Sequence, residues 1–295
     1  MKKIKLKGET IFIVMFVILI LYVASMAFMM LWGVMTSLKD PFEYRYNIID
    51  FPEIWMFENY STAFSSIEVK VQNKNLEYEM VGVFGMYWNT IWYALGCAFF
   101  SAFVPCVTAY MCAKFPYKFS GFVVGIVLVT MALPIVGSAP SQIQLCKELN
   151  MYDTIWGMWL MNAHFHQGVF FLVLYESFRS VPNAYAEAAK IDGASNLQVM
   201  ARVMLPLARN AFLTIFLLRV VAVWNEYQSA ILFIPNKPTI AYGLYYYTFV
   251  EKKNTTYSVP MQLTGAFLIC VPILILFAFF QNRIMGNLSL GGLKG

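Results

Sequence analysis

"AYAEAAKIDGAS" occupies Ala184–Ser195, between two apolar runs of membrane length, yet it is polar, small-residued and interrupted by Gly193. Its own residues specify a short helical hairpin. Pro182 suits a first helical turn, where its missing N–H costs nothing. Ala184, Ala186, Glu187, Ala188, Ala189 and Lys190 are good helix formers. Gly193 can take the left-handed conformation that ends a helix, and Ser195 with Gln198 three residues on has the spacing of a capping box that starts the next. Leu205 and Pro206 are expected to close the unit before the following apolar run. Two alanines beside one glutamate make a narrow ridge suited to a groove on another protein.

Outward from this hairpin the chain is apolar. Of 295 residues, 60% are hydrophobic and 13% charged, against about 45–50% and about 25% in soluble domains. No charge falls between Glu9 and Lys39, Glu79 and Lys114, Lys118 and Lys147, Asp153 and Glu176, or Lys253 and Arg283. A sixth run, Asn210–Ile234, contains only Arg219 and Glu226. Each is long enough for the roughly 20 residues that cross hydrocarbon as a helix. The expected fold is all-α and polytopic, with six transmembrane helices near 11–33, 86–112, 120–140, 154–177, 210–233 and 262–281. Continuous apolar runs, unlike short alternating ones, exclude a β-barrel. The basic start "MKKIKLK" resembles a signal peptide, but the apolar run after it is too long and no small-residue cleavage site follows.

Lys and Arg set the orientation. Threading the six spans puts twelve on the side of the 179–209 loop and eight on the other. The opposite segment, 39–79, carries eight acids against four bases. Both termini are therefore expected in the cytoplasm. The organisation is a cytoplasmic N-terminus (1–10), a transmembrane domain (11–285) and a cytoplasmic tail (286–295). The formal charge of +5 follows from this topology and implies no nucleic acid. Segment 39–79 reads as a solvated loop with one surface helix in "WMFENYSTAF", or as a docking surface. Gly121 and Gly125 form a GxxxG pattern that permits close helix approach. The five cysteines form no CxxC pair and suit packing.

Polar residues inside the spans are expensive. Arg219 lies ten residues past Arg209, about 15 Å along a helix and near mid-membrane. It is either anchored to a neighbouring helix or part of a polar translocation path with Trp224, Asn225, Glu226 and Tyr227. Glu226 shares its face at i+7, about 10 Å away along the axis, too far for a direct pair. Aromatics beside an amide and a carboxylate suit sugar rings. In "NAHFHQ", His164 and His166 are two residues apart, whereas two metal-binding histidines on one helix want i and i+4. Hydrogen bonding or pore lining fits them better, and no metal is expected.

"EAAKIDG" followed by "NLQVMARVMLP" resembles the EAA loop of ABC-importer permease subunits. That pattern reads EAA, three residues, Gly, nine residues, Ile, one residue, Leu-Pro. Here it falls on Glu187, Ala188 and Ala189, a block ending at Asp192, then Gly193, Val203 in the Ile position, Leu205 and Pro206. "SLKDPFEY", "ENYSTAF", "TAYMCAKFPYKFSG" and "VWNEY" are similar to stretches of the maltose-type carbohydrate permeases. So is the tail "QNRIMGNLSLGGLKG"; because its glycines can lie close against another surface and Lys294 offers a charge, Gly291, Gly292 and Lys294 are expected to touch the ATPase, the alternative being a free end. The likeness covers nearly the whole chain. It implies a subunit of a prokaryotic cell-membrane sugar importer. Expected partners are a second homologous permease, two cytoplasmic ATPase subunits that bind ATP and Mg, an extracytoplasmic sugar-binding protein, the sugar and the membrane lipid. No P-loop occurs in this chain, so it binds no cofactor itself and is expected not to be an enzyme. The EAA loop alone leaves a polyamine or amino-acid importer open, and, from another class, a structural or sensor membrane protein. An intramembrane enzyme would need paired aspartates or HExxH inside the spans, and neither occurs.

Overall fold

The computed structural model describes residues 8–72, 76–115, 117, 119–133, 137–250 and 258–288. The chain is mainly helical. In order it runs α1 Gly8–Ser37, α2 Glu58–Ser66, β1 Glu68–Gln72, β2 Tyr78–Gly82, α3 Val83–Lys114, α4 Ser120–Ala132, α5 Ala139–Glu148, α6 Ile155–Met161, α7 Val169–Ser180, α8 Ala184–Ile191, α9 Asn196–Val199, α10 Leu205–Asn225, α11 Gln228–Phe233, α12 Ile240–Tyr245 and α13 Val259–Leu288. Among the described residues four helical segments are long and apolar enough to cross a membrane: Ile11–Ser37, Val83–Lys114, Asn196–Asn225 and Val259–Phe279.

Contacts divide the chain into two compact units. The first comprises 1–67 and 246–270. Its centre is the C-terminal end of α1, whose last carbonyls have no partner within the helix. Asn59 Nδ2 donates to the carbonyls of Ser37 at 3.0 Å and Lys39 at 2.9 Å. Thr264 Oγ1 donates to the Ser37 carbonyl at 2.9 Å, and the Ser37 and Tyr60 hydroxyls meet at 2.9 Å. "SLK" and "ENY" are thus two halves of one cap. Lys39 is fully buried, its ammonium donating to the Asn47 carbonyl at 2.7 Å.

The second unit comprises 68–245 and 271–295. Here α3 packs against α6, α7 and α10. Its inner face carries Ala94, Cys97, Ala98, Ser101, Ala102, Cys106 and Ala109, all buried, and small side chains let helix backbones approach closely. Phe171, Leu174, Phe178, Met204 and Ile215 fill the space against this face. Four cysteines are buried and Cys270 is half-buried, so they pack as small apolar groups.

Several expectations are corrected. Residues 68–82 form a two-stranded antiparallel hairpin, with Glu68 opposite Gly82 and Gln72 opposite Tyr78, where a loop with one helix was expected. "EVKVQ" alternates, burying Val69 and Val71, as a half-buried strand should. Asn236 accepts from the Gln72 N–H at 2.8 Å and is itself held by both Asp153 oxygens at 3.0 and 3.1 Å. The expected 154–177 span is not one helix, because residues 162–168 separate α6 from α7. Irregular backbone at membrane depth needs its polar groups satisfied. Asn162 Nδ2 donates to the Met158 carbonyl at 2.9 Å, and Gln167 Nε2 to the Asn162 carbonyl at 3.3 Å. The expected 120–140 span is helical over α4 and again from Ala139, while 134–136 lie outside the described residues. A Cβ added at Gly121 or Gly125 would meet nothing within 4 Å, so among the described residues the GxxxG pattern brings no helices together.

Leu205 and Pro206 do not close the hairpin. The helix begun at Asn196 continues through a π-helical turn, Met200–Met204, into α10. The Leu205 N–H donates to the Met200 carbonyl, five residues back. Pro206 has no N–H to offer the carbonyl four residues before it, and the wider turn accommodates that loss. The 210–233 run breaks at Glu226 and Tyr227, after which α11 begins.

Candidate functional site

Two polar features stand out from the apolar frame. The first is the 184–199 hairpin. Gly193 has φ +83°. Its N–H donates to the Lys190 carbonyl at 3.0 Å, and the Ala194 N–H to the Ala189 carbonyl at 2.9 Å. This paired arrangement is the Schellman motif, which needs a residue at positive φ. Asp192 caps α8 with its N–H on the Ala188 carbonyl at 3.1 Å. The capping box is present: the Gln198 N–H donates to Ser195 Oγ at 3.3 Å, and the Ser195 N–H to Gln198 Oε1 at 2.8 Å. Each bond is local, which is why the sequence displays the hairpin so clearly.

The hairpin has two faces. Ala186, Ala189 and Ala194 pack against the core of the second unit. Tyr185, Glu187, Ala188, Ile191 and Leu197 face outward, Ile191 being 86% exposed. Tyr185, Ala188 and Ile191 recur at i, i+3 and form one apolar stripe.

The loop is also tied to a long helix by a residue outside the EAA pattern. Lys114, last in α3, donates through Nζ to the Val181 carbonyl and to Asn183 Oδ1 at 2.9 Å. Lys190 Nζ lies 5.7 Å from the Phe115 ring centroid. The sequence places Lys114 only in a short basic loop, because its partners are 67 and 69 residues away.

The second feature surrounds Arg219. Its Nη2 donates to Asn162 Oδ1 at 3.1 Å, and Tyr93, Cys97 and Glu226 are electrostatic neighbours. The partner is thus an amide, and Glu226 makes no direct pair with Arg219, as expected from the spacing. Glu226 Oε1 instead accepts the Ser229 N–H at 2.8 Å at the start of α11. The other expected path residues each have partners of their own. Trp224 is buried against Tyr87, with ring centroids 6.3 Å apart. Asn225 Nδ2 folds back to the Val221 carbonyl at 2.8 Å, and Tyr227 stacks on Tyr245 at 4.7 Å. His164 and His166 lie in the irregular 162–168 segment, where their rings stack at 4.1 Å. Among the described residues no cluster of three or more His, Cys, Asp or Glu is placed to hold a metal. Gly291, Gly292 and Lys294 lie outside the described residues.

In the second unit the long helices α3 and α10 pack through small residues, and the polar helical hairpin leads into α10. The chain belongs to the family of binding-protein-dependent transport system inner membrane components, whose model matches residues 105–289. It is 27% identical to the probable ABC transporter permease protein YurM of Bacillus subtilis, over 98% of this chain and 89% of that protein. It is 25% identical to the diacetylchitobiose uptake system permease protein NgcG of Streptomyces coelicolor, over 93% of this chain and 86% of that protein. A chain of the bacterial ABC transporter involved in import of the acidic polysaccharide alginate shares its fold. The TM-score is 0.73 at 21% identity, over 95% of this chain and 99% of that one. The chain is therefore a membrane-integral ABC-importer permease that works with a substrate-binding protein and a separate ATPase, and is not itself an enzyme.

Proposed function

We propose that this chain forms half of the translocation pore of an ATP-driven sugar importer and receives the motion of its ATPase through the hairpin centred on Gly193. A second homologous permease completes the pore, two cytoplasmic ATPase subunits grip the two hairpins, and an extracytoplasmic protein delivers the sugar. Relatives named for saccharide uptake support the substrate class. The observation that carries the coupling role is the outward face of α8, where Glu187 and Ala188 lie beside exposed Tyr185 and Ile191. An apolar stripe with one charge fits a groove on a partner. Six spans with both termini in the cytoplasm agree with the distribution of Lys and Arg. The Gly-rich tail, with Gly291, Gly292 and Lys294, would touch the ATPase dimer.

The test is reconstitution of the complex in vesicles with ATP inside and labelled saccharides outside, together with a cysteine at Ile191 for cross-linking. Saccharide uptake that depends on ATP, with an Ile191 cross-link to the ATPase, is expected. Uptake of polyamines or amino acids instead would overturn the sugar assignment. A cross-link to lipid alone would overturn the coupling role.

Lys114 acts here as a strut between the hairpin and α3. Lys114→Met is expected to leave assembly intact and to lower sugar transported per ATP hydrolysed by about three- to tenfold, matching loss of a hydrogen bond to a charged group worth roughly 1 kcal/mol at a partly exposed site. Lys114→Arg should restore the ratio. An unchanged ratio in Lys114→Met would remove Lys114 from the coupling path.

A further inference from the structure

We infer that Arg219 is the contact for an anionic group on the transported saccharide, so that the path through this chain takes acidic sugars such as uronides; this rests on the sugar-importer reading above. Arg219 lies within α10, on a helix of spanning length, with its guanidinium half-buried. Such a group stays charged, and in a membrane segment it faces a partner or a wet cavity. Its direct partner is the neutral Asn162 Oδ1 at 3.1 Å, an oxygen also approached by Ser101 Oγ at 3.4 Å. Its Nε is buried and makes no hydrogen bond. The ion pairs among the described residues do not include Arg219. Glu226, just past the C-terminal end of α10, is an electrostatic neighbour of Arg219 but not at salt-bridge distance, and spends an oxygen on the Ser229 N–H. A structural anchor would be expected to meet a carboxylate at salt-bridge distance, because one amide oxygen satisfies one of five guanidinium N–H groups.

A second unfilled polar atom belongs to the same network. Gln167 Nε2 lies 3.3 Å from both the Asn162 carbonyl and His164 Nε2, so it joins His164 to the acceptor of Arg219. His164 Nδ1 is buried and unpartnered. The two leftover groups have complementary uses. A guanidinium takes a carboxylate in paired hydrogen bonds, and an imidazole nitrogen can donate to or accept from a hydroxyl. A uronide offers both, whereas a neutral sugar offers the guanidinium no carboxylate.

The test uses the assembled complex with its partner permease and ATPases. Binding of a uronic-acid trisaccharide and of the neutral trisaccharide of the same linkage is measured by equilibrium dialysis. The acidic probe is expected to bind at least about tenfold more tightly, the effect of one hydrogen bond to a charged group. Arg219→Gln should abolish the preference and Arg219→Lys should keep part of it. Equal binding of the two probes, no binding of either, or a preference that survives Arg219→Gln would each overturn the inference. If Arg219→Gln fails to assemble, the two probes on the unaltered complex decide. Any of these failures leaves the sugar-importer reading standing while ATP-driven saccharide uptake persists; loss of all saccharide uptake by the unaltered complex sinks that reading instead.

Discussion

Gly193→Val is expected to abolish uptake while the subunit still reaches the membrane. The cause is backbone strain, not crowding: an added Cβ would meet nothing within 4 Å, but φ is +83°. A left-handed conformation costs an ordinary L-residue roughly 1–2 kcal/mol, and a β-branched residue is a genuine outlier there. The strained loop would leave this conformation and forfeit the paired bonds of Gly193 and Ala194 to Lys190 and Ala189. The outward faces of α8 and α9 would then lose their mutual alignment. Asn tolerates positive φ better than Ala, and Ala better than Val. Uptake should therefore fall in the order Asn, Ala, Val, with ATPase co-purification falling in parallel. Full uptake in Gly193→Val would show that the turn is not needed for coupling.

Gly96→Leu is expected to lower the yield and melting temperature of the complex sharply. The Trp159 indole lies directly on Gly96: a Cβ there would fall 2.0 Å from Trp159 Nε1 and 2.2 Å from Cε2. The same nitrogen donates to the Trp92 carbonyl at 3.0 Å, so the ring cannot retreat without breaking that bond. Overpacking costs about 1–3 kcal/mol, and the lost hydrogen bond about 1 kcal/mol more. Even Gly96→Ala should destabilise. Combining it with Trp159→Leu should recover much of the loss, because the two changes act on one contact and are not additive. Additive losses, read from thermal unfolding in detergent, would refute the contact as the cause.

The two glycines differ in how they could have been foreseen. Gly193 stands between a run of helix formers and a Ser–Gln capping pair, so its role is written within a dozen residues. Gly96 lies in a featureless apolar helix, and its importance comes from a tryptophan 63 positions later. The same division holds for the polar groups. Arg219 announces itself in an apolar run, but its partner Asn162 is 57 residues away. No spacing rule connects them.

The residue pattern alone determined that the chain is mainly helical and that long runs of it are apolar enough for hydrocarbon. A helix satisfies its own backbone, and long charge-free runs leave few alternatives. It also determined the turn of the hairpin, whose capping hydrogen bonds close within six residues. Only the tertiary structure decided where an apolar run stops being helical. Residues 162–168 and the Glu226–Tyr227 break depend on side chains that take over backbone partners, and hydropathy does not register that exchange. It also decided that Lys114 holds the hairpin, that a hairpin of strands forms at 68–82, and that His164 stacks on His166. The strand pairing, the strut and the Arg219 network rest on groups brought together by packing; the energy of such contacts exists only once the chain between them has folded.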